Sequence, residues 1–259
     1  MILLANLDNV SFSVAVYSTE KEKIVSFKTY ADKLKSEVEY EEELKRFFNS
    51  NHYENFKFDG GILSSVVPSM TKRIQKALNT FLEKPCLVVG RKIKTSLALR
   101  VDNPSEVGSD LIASSIGALA DYKEDVLIVN ISSVCSFSLV SKSNEFLGCS
   151  FFPGLRQSAE TMWSNCAQLI DTDLEIPNKL IGKNTKDSLN SGIVGGYICL
   201  IKNFADEIER EYKKPLTRIL TGDDMAIVKN ALFSTFECNP NLIFDGLYEI
   251  YLKNNKERE

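Results

Sequence analysis

The sequence predicts an α/β protein built from two similar halves, each led by a β-hairpin. Three observations carry this. ILLA, a polar turn and SVAVY open the chain, and VLIVNI, a polar turn and CSFSLV repeat the pattern from residue 126, each turn being opened by an asparagine. In both halves further apolar runs alternate with segments of helical period, which is the layering of an α/β fold. The 259 residues are 44% hydrophobic and 25% charged, ordinary globular values that allow one large core or two smaller ones.

In the first half, IVSFKTY (24–30) follows the hairpin as a third strand. EVEYEEELKRFFN (37–49) sets Leu44, Phe47 and Phe48 at helical spacing, with acids at the end where the helix dipole favours them. GGILSSVV is a strand ended by Pro68, which suits the first turn of a helix reaching about Leu82. CLVVG and LALRV are short strands, and DNPSEVGSD (102–110) is a polar turn leading into the small-residue helix IASSIGALADY. The second half runs through VLIVNI, CSFSLV and FLGCSF, then turns at Pro153-Gly154 into a helix over about 155–169. A long helix is predicted over roughly 188–212, RILTG is a strand running into a turn and a short helix, and FDGLYEIYLKNN is the closing amphipathic helix. The halves are expected at 1–121 and 122–259. The small residues of IASSIGALA, with Met162 and Trp163, are expected in the core.

Composition removes several classes of function. A net charge of -4 gives no basic face for nucleic acid, and RKIK (91–94) is expected to be a solvated loop. MILLANLD lacks the basic start of a signal peptide, and no apolar stretch reaches the ~18 residues of a spanning helix, so no membrane association and a cytoplasmic chain are expected. The six cysteines form no CxxC pair, and those in apolar runs, such as Cys86, are expected to be buried thiols. His52, the one histidine, lies in a polar loop and is expected at the surface. Chemistry must then run on carboxylates, hydroxyls and backbone amides.

Two hairpin-led α/β halves describe the actin-like ATPase and sugar-kinase superfold, in which the two turns face each other across a cleft and hold nucleotide phosphates. Longer stretches narrow this to a family. LSSVVPSMT (63–71), VDNPSEVGSDLIASSIGA (101–118), IGKNTKDSLNSGIVGG (181–196), FFPGL (151–155) and DGLYEIY (245–251) resemble, in order and with matching gaps, segments of the type III pantothenate kinases. The resemblance implies ATP-dependent phosphorylation of pantothenate in coenzyme A biosynthesis. It also implies Mg²⁺, a monovalent cation (K⁺ or NH₄⁺), and a homodimer whose pantothenate pocket is completed across the interface.

Carried over residue by residue, the resemblance makes Asp110 the catalytic aspartate that activates the pantothenate hydroxyl, with Gly108 and Thr185 on the substrate side and the Glu106-Val107 pair kept. The arginine that the family places beside the aspartate is Leu111 here. On the nucleotide side the pattern breaks. The first turn's aspartate is Asn6, and its Gly-Asn-Thr reads Asp8, Asn9 and Val10. The second turn's aspartate is Asn130, and Ser132 and Ser133 follow where the family has Gly-Thr. A Thr-Gly-Gly turn near the adenosine reads Thr221-Gly222-Asp223. A neutral amide holds Mg²⁺ less well than a carboxylate, and a carboxylate at Asp8 would face the phosphates it should cradle. Asp8 is also the one candidate to take over Mg²⁺.

Taken singly, Asn6 and Asn130 are ordinary turn residues, and Asp110, Asp223 and Asp224 are ordinary helix-start acids. The combined pattern leads to the expectation of a pantothenate kinase homologue with weakened or lost catalysis. The alternatives are a non-catalytic regulatory subunit, a heterodimer partner of a catalytic paralogue, or a pantothenate-binding sensor.

Overall fold

A computed structural model describes residues 1–259 except Glu54, Arg91, Ile170 and 256–259, so Arg91 of the basic run and the last four residues of the tail lie outside the described residues. In chain order the elements are β1 (Ile2–Leu7), β2 (Ser11–Tyr17), β3 (Lys23–Tyr30), α1 (Glu37–Ser50), β4 (Gly60–Ser65), α2 (Pro68–Leu82), β5 (Cys86–Val88), β6 (Ala98–Leu99) and α3 (Ser109–Tyr122). They continue with β7 (Val126–Ile131), β8 (Val134–Ser141), β9 (Glu145–Pro153), α4 (Leu155–Asn165), α5 (Thr185–Asn190), α6 (Gly196–Tyr212), β10 (Thr217–Thr221), α7 (Met225–Leu232), β11 (Glu237–Cys238) and α8 (Leu242–Asn255). The chain divides into two units, residues 1–97, 102–120 and 242–259 in one and 98–101 and 121–241 in the other.

The first unit is a sheet of order β3-β2-β1-β4-β5. β1 pairs antiparallel with β2 and parallel with β4. Alternation along β1 sorts its side chains. Leu3, Ala5 and Leu7 join Leu44, Phe48, Ile74 and Leu78 of α1 and α2, whereas Ile2 and Leu4 join Ala113 of α3 and Leu247 and Tyr251 of α8. α1 starts on a capping box between Ser36 and Glu39, and Pro68 opens α2 as expected. α3 and α8 cross closely: a Cβ on Gly117 would fall on the carbonyl oxygen of Leu242, and one on Gly246 on that of Ala113. The small residues of α3 therefore serve the core of this unit.

The second unit repeats the plan, with order β11-β10-β7-β8-β9-β6. β7 stands where β1 stands, antiparallel to β8 and parallel to β10. Its core gathers Leu127, Val129 and Ile131 with Leu155, Val194, Ile201 and Val228. The duplication extends to single residues. Asn6 is the fifth residue of β1, in register with Ser13 and Ser64, and Asn130 is the fifth of β7, in register with Ser136 and Thr221.

The structure corrects several sequence expectations. α8 belongs to the first unit, because its apolar face meets β1 and α3, so a division into 1–121 and 122–259 misplaces it. Of LALRV only Ala98–Leu99 is strand, and it pairs with β9. α4 ends at Asn165, while Leu169 still packs on the same core from outside the helix, which is why the apolar period ran on. The long helix is broken by a π turn at Ser191–Gly195, where Gly192 and Gly195 lower helix propensity. Met162 is exposed, whereas Trp163 packs partly buried against the core. Cys86 and Cys135 are buried, and burial pushes both thiols up to about 12, which leaves them unreactive; the other four cysteines are exposed. Among the described residues no helix is long and apolar enough to cross a membrane.

Candidate functional site

In the first unit the candidate residues collect at the carboxyl ends of β1 and β4 and at the start of α3. Asn6 lies on the β1 face that α3 covers, and its Oδ1 is buried with no hydrogen-bond partner. Such an acceptor costs on the order of 1–3 kcal/mol unless a donor reaches it. Asp8 sits two residues on, just past the strand. Its amide donates to Ser11 O at 2.9 Å and closes the hairpin. Its carboxylate turns back into the same turn: Oδ1 accepts from the amides of Val10 and Ser11, both at 2.7 Å, and Oδ2 accepts from Ser11 Oγ at 2.8 Å. Asn9 and Val10 are exposed.

The end of β4 is knitted to α3 by hydroxyls. Ser109 Oγ lies 2.9 Å from Ser64 Oγ, accepts from the Ser65 amide at 2.9 Å, and lies 3.1 Å from Ser65 O. Ser65 Oγ in turn lies 2.7 Å from Thr71 Oγ1 on α2. Motif matching drew attention to SSVVP and its threonine without assigning these roles. The signal available was a pair of serines ending an apolar strand, where hydroxyls alone can bond across to the next element.

Asp110 stands in the first turn of α3. Burial pushes its carboxyl above the ordinary aspartate range, the amides of Leu111 and Asp110 itself pull it back, and the negative charge of Asp8 adds to the rise. Asp8 and Asp110 therefore act on one another within this unit. Gly108 makes room for the arrangement, since a Cβ there would fall on Asp110 Oδ1. Leu111, where the resemblance expects arginine, is buried. Glu106 accepts from Asn103 Nδ2 at 2.6 Å and braces the turn before α3.

The raised Asp110 carboxyl sets a sign for stability. Its native pKa lies above the 3.8 of an ordinary aspartate, so the folded state binds the proton more tightly than the unfolded one. Stability is then greatest at low pH for this group and falls as pH rises through the native pKa. Asp110→Asn is accordingly expected to raise the urea midpoint at pH 7, with the gain shrinking toward pH 4. An equal gain at both pH values would mean that titration of Asp110 is not its source.

In the second unit Asn130 is held differently. Its Oδ1 accepts from Ser132 Oγ at 2.8 Å, and the Asp223 amide reaches the same hydroxyl at 3.4 Å. Gly222, at φ +100°, lies against this turn, and a Cβ there would fall on Asn130 Oδ1 and on Ile131 O. The Asp224 amide donates to Ile131 O at 2.9 Å. Asp224 is buried, which pushes its carboxyl up, and Arg156 from α4 opposes the shift from 3.4 Å. Sequence reasoning missed Arg156, which follows the Pro-Gly turn. Gly154 itself packs under the hairpin, since a Cβ there would meet Ser133 O at 2.5 Å. Thr221 is buried beside Asn130, Ser133 is half-buried, and Thr185 is exposed as the first residue of α5, behind its N-cap Asn184.

These groups do not fit a magnesium-bound triphosphate as they stand. Among the described residues no group of three or more histidine, cysteine, aspartate or glutamate side chains could hold a metal ion. The expectation that Asp8 could take Mg²⁺ finds no support in the geometry, because its carboxylate already accepts three hydrogen bonds from its own turn. Nor does that carboxylate stand free, as the sequence suggested.

Comparison with known proteins agrees with the resemblance read from the motifs. A family model described as type III pantothenate kinase matches residues 2–207. The chain is 30% identical over 248 residues to a type III pantothenate kinase of Sulfurihydrogenibium sp., covering 96% of this chain and 98% of that one. It is 29% identical over 251 residues to one of Persephonella marina, covering 97% and 98%. Among solved structures it is similar in fold to the activator of 2-hydroxyisocaproyl-CoA dehydratase from Clostridium difficile with bound ADPNP, at a TM-score of 0.55 and 7% identity, covering 99% of this chain and 97% of that one. The fold is that of the actin-like ATPases and sugar kinases.

Proposed function

The chain belongs to the type III pantothenate kinase family, and from that membership we propose that it keeps the pantothenate side of the reaction and has weakened or lost the nucleotide side. The observation that carries this is the contrast within the first unit. Ser64, Ser65, Ser109, Gly108 and Asp110 form a bonded, closely packed frame, whereas Asn6 is left with a bare buried acceptor and Asp8 fills its own turn.

In this reading Asp110 accepts the proton of the acceptor hydroxyl, and burial helps by making its carboxylate a stronger base than an exposed one. Gly108 leaves that carboxylate its place. ATP is the donor that the family implies, and a magnesium ion and a monovalent cation would supply charge neutralisation when bound. Asn6 and Asn130, both neutral, offer that chemistry little.

A second reading, a pantothenate-binding subunit or sensor without turnover, is favoured by the same contrast. Leu180 and Ile181, 67% and 83% exposed just before Thr185, supply an apolar face that another chain would cover. This fits a homodimer or a heterodimer with a catalytic paralogue.

The test is calorimetry with pantothenate, beside phosphopantothenate formation with ATP, Mg²⁺ and K⁺ and an Asp110→Asn control. Pantothenate binding is expected, with turnover about 100-fold or more below a motif-complete relative. Absence of pantothenate binding would sink both readings.

A further inference from the structure

We propose that Asp8 is a built-in anion that occupies the phosphate position of the first hairpin, and so determines that this turn rejects phosphate. The inference rests on the family reading, which makes this hairpin a phosphate turn, and goes beyond it by naming the residue that closes it.

A turn that cradles an oxyanion does so with backbone amides pointing at one spot, helped by a hydroxyl. In this turn the amides of Val10 and Ser11 and the hydroxyl of Ser11 do converge, and what they converge on is the Asp8 carboxylate. Two amides share a single oxygen at 2.7 Å, the short end of the range for a charged acceptor. The donors are thus preserved and already engaged. An incoming phosphate would have to displace a covalently tethered carboxylate, whose effective concentration exceeds that of any free ligand. It would also meet that carboxylate's charge and that of Asp110, which interacts with Asp8.

The second unit shows the uncharged version of the same closure. Ser132, where the family has glycine, donates its hydroxyl to Asn130 Oδ1 and takes the Asp223 amide. In both turns the residue standing for glycine has used its side chain to satisfy groups that a ligand would otherwise meet.

Occupancy and charge make different forecasts. Asp8→Asn removes the charge but leaves an amide oxygen that still accepts from Val10 and Ser11, whereas Asp8→Gly frees those donors. The hairpin survives the second change, since the Asp8 amide keeps its bond to Ser11 O and six residues of β1 remain paired with β2.

The experiment is binding of inorganic tripolyphosphate, without metal or pantothenate, to the natural chain and both variants by calorimetry. Asp8→Gly is expected to bind about tenfold or more tighter than the natural chain, and Asp8→Asn no more than about twofold tighter. Equal gains in the two variants would show that charge alone excludes phosphate and would overturn the proposal; so would no gain in Asp8→Gly. Amide exchange in the natural chain gives a reading that needs no variant. Val10 and Ser11 are expected to be protected, and exchange at the rate of open turn amides would overturn the proposal as well. None of these readouts involves turnover, so failure here and failure of the kinase reading are separable.

Discussion

A chain carrying Asn6→Asp, Asp8→Gly, Asn130→Asp and Ser132→Gly together is expected to phosphorylate pantothenate about 10²- to 10³-fold faster than the natural chain, measured as kcat/KM with ATP, Mg²⁺ and K⁺. The physical case is that all four changes act on two turns whose scaffolding is intact. Asn6 and Asn130 hold the same place in register on β1 and β7, so each replacement acid would stand where its sheet already aims an amide oxygen. Carboxylate for amide is nearly isosteric, and Asn6 Oδ1 has no partner to lose.

The changes are not independent. Asp8 already raises the carboxyl of Asp110, and Asn6→Asp alone would add a third acid to the same face. That single variant is therefore expected to lose stability at pH 7, recover toward pH 4, and gain no turnover. Adding Asp8→Gly lowers the number of acids back to two, which lessens the repulsion, and frees the turn's amides. Ser132→Gly likewise releases the second turn from its own hydroxyl. A fourfold variant no faster than the natural chain would show that something other than the two turns limits the reaction. The buried Leu111, where the resemblance places an arginine, would then be the next position to change.

The repeated hairpins were legible because strand alternation and a polar turn are local properties, and the structure carries the repeat down to the register of Asn6 and Asn130. Helix starts were legible for the same reason, as with the acids at the front of α1 and Pro68 at the start of α2, although the Ser36 cap was not read from the sequence. Non-local choices were not. α8 reads as one more helix at the end of the second half, and only packing against β1 and α3 returns it to the first unit. Asp8 shows the limit most clearly at the site. Its identity announced a charge in the first hairpin turn, but whether that charge points outward or back into the turn is a rotamer, decided by three donors within three residues. Ser64 and Ser109, 45 residues apart, met only once β4 and α3 were side by side.

Gly222→Ala is expected to destabilise the protein by about 3 kcal/mol or more, read as a fall in the urea midpoint at pH 7. Two separate costs combine. The residue sits at φ +100°, where an L side chain is strained whatever the space around it. There is also no space, since a Cβ would meet Asn130 Oδ1 and both backbone polar atoms of Ile131, the nitrogen at 2.6 Å. The neighbours cannot yield cheaply. Ile131 is the last residue of β7 and its oxygen accepts from the Asp224 amide, while Asn130 is pinned by Ser132 and pairs in register with Thr221. Gly196→Ala supplies the contrast. Gly196 opens α6 with nothing within 4 Å of the position a Cβ would take, so alanine there is expected to be neutral or to stabilise by about 0.5–1 kcal/mol. If the two substitutions cost the same, the contact between Gly222 and the Asn130 turn is looser than its geometry states, and the second hairpin would be free to admit a ligand without first breaking its own bonds.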